Sequence, residues 1–311
     1  MGYCTPLSMA HCSNRLGNSF LLVAAALAVG CGSRDPAPVV APRIDTATVV
    51  RAHLHRREQT LRRFPRASFL SPQPDTDAGI PLWMAPLLVH EYSPDPMAEP
   101  RWARFGAVAV DPTGLATVDC DRPTVYWSAA EITVGSQTLE QRTFWWFYPS
   151  PALDKPIRYR GFRMTLGNGG YAVIWELLCS DTGDSRQRAF YVSKPVEQAA
   201  TERFGGALAG RRHVVEPPLE EHPEVVVSRI VGDGPQPMGP IVYLDAAAVV
   251  TTLICRCEPS QADAFPHSSH YRLQRIDAPQ DLYGDGTRPP NLHLPPVHAS
   301  PEGLLRLPDQ L

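Results

Sequence analysis

Between residues 158 and 179 the chain carries two alternating runs separated by four turn-forming residues, an arrangement that admits little except a β-hairpin. From Arg158 to Leu166, Phe162, Met164 and Leu166 fall on one face, with Arg163 and Thr165 on the other. Side chains two apart share a face only in extended chain. Gly167-Asn168-Gly169-Gly170 follows and accepts the positive φ of a tight turn. The return run, from Tyr171 to Cys179, sets Val173, Trp175, Leu177 and Cys179 on one face. The glycines read as turn chemistry and not as a phosphate cradle, since no P-loop lysine or following helix accompanies them.

Other segments repeat the strand pattern. Residues 105–111 and 115–120 flank the turn signal Pro112-Thr113-Gly114. Short β-rich runs follow at 124–127, 131–134 and 143–148, the last holding Phe144, Trp145, Trp146, Phe147 and Tyr148. Residues 189–192, 223–231, 241–244, 249–257 and 271–276 read as further strands. A run from Pro195 to Leu208 reads as a helix, with Pro195 in its first turn and Gly210 beyond its end. Residues 46–64 read as a basic helix with Val50, Leu54, Leu61 and Phe64 near one stripe. The expected class is α+β and β-rich: a mainly antiparallel sheet with one N-terminal helix and one internal helix.

The first thirty residues hold one charged side chain, Arg15, and an apolar run from Phe20 to Val29. A positive segment, a short apolar stretch and small residues before a cut make a secretory signal. The run is shorter than the roughly 20 residues that cross a bilayer as a helix. Met9 as the start would bring Arg15 to a typical position in such a signal. Ala28-Val29-Gly30-Cys31 resembles the lipobox of bacterial lipoproteins. That resemblance covers residues 1–31 alone, and implies a diacylglycerol thioether on Cys31, cleavage before it, and acylation of the freed amine. More than one acyl chain anchors stably where a single chain binds marginally. Gly32 does not resemble the acidic retention signal, which implies the outer membrane, facing the periplasm, in a two-membrane cell. Cys4 and Cys12 lack small residues before them and do not compete as lipidation sites.

Of 311 residues, such a cut leaves 281. Residues 31–45 are proline-rich and read as a tether carrying the lipid, 46–79 as helix and linker, and 80–277 as one β-rich domain. Residues 278–311 hold seven prolines and no sustained apolar period, and read as an extended or disordered tail. The formal charge is −3, and −4 once Arg15 leaves with the signal, which does not point to nucleic acid. The expected partners are the membrane, through the lipid, and a protein of the envelope.

Beyond Cys31, four cysteines remain: Cys120, Cys179, Cys255 and Cys257. In an oxidising compartment they are candidates for disulfides, with three pairings open. Strand alternation makes Cys179, Cys255 and Cys257 core-facing. A sharper reading joins Cys255 and Cys257 to His267 and His270 as a zinc or copper(I) site, because thiolates and imidazoles suit those ions. The spacing is not that of a zinc finger.

No nucleophile elbow, zinc-protease helix or Walker loop is present. His90-Glu91 lacks the histidine three residues on. Asp281, Asp285 and Gly286 lack the glutamate of a calcium loop. The acidic group Glu216, Glu220, Glu221 and Glu224 reads as a solvated loop. The residues from Trp145 to Tyr148 read as core on alternate positions, or as the lining of a carbohydrate or peptide groove. The expected function is a non-enzymatic binding or structural component of the envelope. The alternatives are a metal-binding lipoprotein and an enzyme without a recognisable motif.

Overall fold

The computed structural model describes residues 58, 62, 66–74, 79–80, 84–91, 104–150, 152, 155–180, 187–206, 208, 212–213, 224–231, 239–246, 248, 250–257, 268–284, 286–296, 298–303, 305, 307 and 311. The hairpin is its clearest element. Strands β7 (Arg158–Leu166) and β8 (Ala172–Cys179) pair antiparallel, with Phe162 opposite Leu177 and Met164 opposite Trp175. The Gly170 N–H bonds the Gly167 carbonyl at 2.9 Å, and Gly170 takes φ +73, the left-handed position that its lack of a Cβ permits.

The remaining strands, in chain order, are β1 (Ala67–Pro72), β2 (Leu87–Glu91), β3 (Ala107–Val110), β4 (Ala116–Asp119), β5 (Thr124–Val134), β6 (Gln137–Tyr148), β9 (Gln187–Ser193), β10 (Arg212–His213), β11 (Glu224–Val231), β12 (Gly239–Leu244), β13 (Val250–Cys257) and β14 (Ser268–Arg275). Twelve of them form one sheet in the order β10-β11-β9-β8-β7-β6-β5-β14-β1-β2-β12-β13, and β3 and β4 form a separate two-stranded ribbon. The expected mainly antiparallel sheet is corrected here, because the sheet is mixed. β14 runs parallel to both β5 and β1, β12 runs parallel to β2, and β11 runs parallel to β9. Hairpins announce themselves in local sequence. A parallel pair needs a long crossover and leaves no local turn signal. The runs at 124–127 and 131–134 are one strand, and β1 and β2 escaped the sequence reading altogether.

The internal helix α1 (Lys194–Phe204) forms where expected but ends earlier. Gly205, at φ 70, caps it, and its N–H bonds the Thr201 carbonyl. Val196 and Ala200 bury against Phe190 and Val192 of β9. A second short helix, α2, spans Gln280–Tyr283. Of the expected N-terminal helix, the described residues are Glu58 and Arg62. Both are helical and exposed, and they form an i,i+4 pair at 3.8 Å. Such a pair contributes little to stability.

Register sorts the side chains of β6 and β7 onto two faces. One face is aromatic: Trp127, Phe144 and Phe162 lie on neighbouring strands, and the Phe144 and Phe162 rings stack at 5.1 Å. Trp146, Trp175 and Tyr271 extend the same buried cluster. Each such ring contributes about 1.5–3 kcal/mol by leaving water. The opposite face carries Trp145, Phe147, Tyr159 and Leu178, packed under Ala116 of the ribbon and Leu282 of α2. All five residues from Phe144 to Tyr148 are at most 1% exposed. The run is therefore core on both faces, not on alternate positions.

The segment read as a loose tail lies on this second face. Leu292 and Leu305 are buried, and Leu311 packs near Ile132, Val134 and Leu139. Side chains of the sheet hold its described residues down as a strap, and Pro301–Gly303 form a short 3-10 helix within it.

Candidate functional site

The cysteines and histidines singled out from the sequence lie partly outside the described residues. Cys31 and His267 lie outside the described residues. Cys255 and Cys257 are on β13, opposite Pro240 and Gly239. The register slips there, so two residues apart on β13 correspond to consecutive residues on β12. His270 is exposed on β14, and its Nδ1 lies 3.0 Å from the Ser71 hydroxyl of β1. Among the described residues, no group of three or more His, Cys, Asp or Glu side chains is placed to hold a metal ion.

Cys179 is a free thiol and is exposed, a correction to its core-facing assignment. It is the last residue of β8, beyond the part of that face that Trp175 buries. The Cys120 thiol donates to the Arg104 carbonyl oxygen at 3.1 Å. Burial pushes this thiol up, against the lowering effect of Arg104. A thiol held protonated is a poor nucleophile. Asp281, from the incomplete calcium pattern, accepts the backbone N–H groups of Asp277 and Ala278 at 2.8 and 2.9 Å. It ties down the turn that leads into α2.

Two buried polar groupings were not legible in the sequence. The first surrounds Tyr148 at one end of the aromatic face. The Trp146 indole N–H donates to the Tyr148 oxygen at 3.0 Å. The Arg158 guanidinium sits 5.8 Å from the Tyr148 ring centre, and the His90 ring 6.1 Å from it. Arg160, 3% exposed, donates through Nε to the Ala248 carbonyl at 2.8 Å. Ala248 holds a positive φ of 63 in the turn after β12. Burial drives the Tyr148 phenol far above its ordinary range, and the Trp146 hydrogen bond offsets only part of that. The group thus ties the ends of β2, β6 and β7 to the β12–β13 turn with a phenol that stays neutral. It sets no nucleophile beside a base.

The second grouping is on the opposite face, beneath the tail. Arg163 and Glu176 form an ion pair at 2.9 Å, with side chains 1% and 5% exposed. The second Arg163 amino group donates to the Pro296 carbonyl. Gln141, 2% exposed, donates to the Ala299 carbonyl at 3.0 Å and accepts the Ala299 N–H at 2.9 Å. Gln141 also reaches the Thr165 hydroxyl at 3.1 Å.

Comparison with family models, with curated proteins and with solved structures gives no match to this chain.

The polar band therefore has to be read from its own chemistry. Its donors and acceptors are directed at main-chain groups of an extended segment. A primary amide that meets both the N–H and the C=O of one residue recognises backbone irrespective of side chain. Asn291 repeats the pattern in reverse. Its amide donates to the Ala116 carbonyl and accepts the Ala116 N–H, both at 2.8 Å. The arrangement holds the main chain of the protein's own C-terminal tail. In the sequence Arg163 and Thr165 share the polar face of an alternating strand, a pattern that ordinarily faces solvent, so nothing local signalled their burial.

Proposed function

We propose that this protein is an exported lipoprotein, anchored through a lipid on Cys31, whose β-rich body is a non-enzymatic binding or structural component of the cell envelope. One observation carries the address: the apolar run from Phe20 to Val29 closes on Gly30-Cys31 after small residues. The character of the body supports the second half of the reading. Three of its buried polar side chains, Arg163, Gln141 and Arg160, engage a neighbouring side chain or backbone of the same chain. In a two-membrane cell the body faces the periplasm from the outer membrane.

Metabolic labelling with a palmitate analogue tests the anchor. Wild-type protein is expected to take up label and to fractionate with membranes, and Cys31→Ala to do neither. Unlabelled wild-type protein would overturn the reading. A screen of hydrolase substrates that finds turnover, lost on Ser71→Ala, would overturn the non-enzymatic assignment, because Ser71 and His270 are the described hydroxyl–imidazole contact.

A further inference from the structure

We draw no further inference here: the strongest candidate, the buried polar row of Thr143, Arg163 and Glu176 that crosses β6, β7 and β8 beneath the C-terminal tail, belongs to the site already described and is met there by the tail of the same chain.

Discussion

The two faces of β6 and β7 meet the same requirement by different means. On the aromatic face, Phe144, Trp146, Phe162 and Met164 need only to leave water and fill space. On the other, Gln141, Thr143, Arg163 and Thr165 are as deeply buried, but each polar atom needs a partner of its own. The first face is closed by neighbouring strands. The second is closed by a tail that supplies carbonyls and an N–H where the sheet has none. The contrast teaches that a face can be buried without being apolar, provided another segment is shaped to answer it group by group.

Alkali is expected to act most strongly, and it probes the aromatic face. Burial raises both Tyr148 and Tyr271 above the usual value of 10. The neutral phenols stabilise the fold fully below pH 10, and that contribution is lost as pH rises past 10 towards the folded values, because the unfolded chain ionises first. Phenolate absorbance should therefore rise in step with loss of near-ultraviolet circular dichroism. Ionisation of these tyrosines with tertiary structure retained would contradict their burial.

On the strap face, Glu176→Leu is expected to cost about 3–5 kcal/mol in urea unfolding, since it leaves the Arg163 charge buried without its partner. A cost below about 1 kcal/mol would mean that solvent reaches the pair. Gln141→Ala is expected to cost about 1–3 kcal/mol, because both backbone groups of Ala299 lose their partner. It should also raise amide exchange around residues 298–303 ahead of the sheet. Exchange unchanged there would show that Gln141 does not hold the strap. The smallest effect belongs to the aromatic face again. Met164→Leu conserves volume and is expected to cost under about 1.5 kcal/mol, with the strap's exchange unaltered.

Part of this was legible in the chain itself. The hairpin of β7 and β8, the helix α1 and most strand positions follow from alternation and turn residues, which are local properties. Cys179 shows where local reasoning stops: its face was right by parity, yet exposure depends on what lies beyond the strand end. The candidate site was hidden for a related reason. Arg163 and Glu176 are 13 residues apart, but Gln141 and Ala299 are separated by 158. A tail of prolines has no periodicity to reveal that its main chain is hydrogen-bonded.

The sequence by itself determined the alternating strands, the turn at Gly167–Gly170 and the lipobox-like segment ending at Cys31, because each depends on neighbours within a few residues. Only the tertiary structure decided that β14 enters the middle of the sheet, parallel to β5 and β1. It also decided that Pro296, Ala299 and Leu311 of the tail lie against the second face. Both depend on hydrogen bonds between groups far apart in the chain, whose satisfaction depends on where the chain returns and not on the residues beside them.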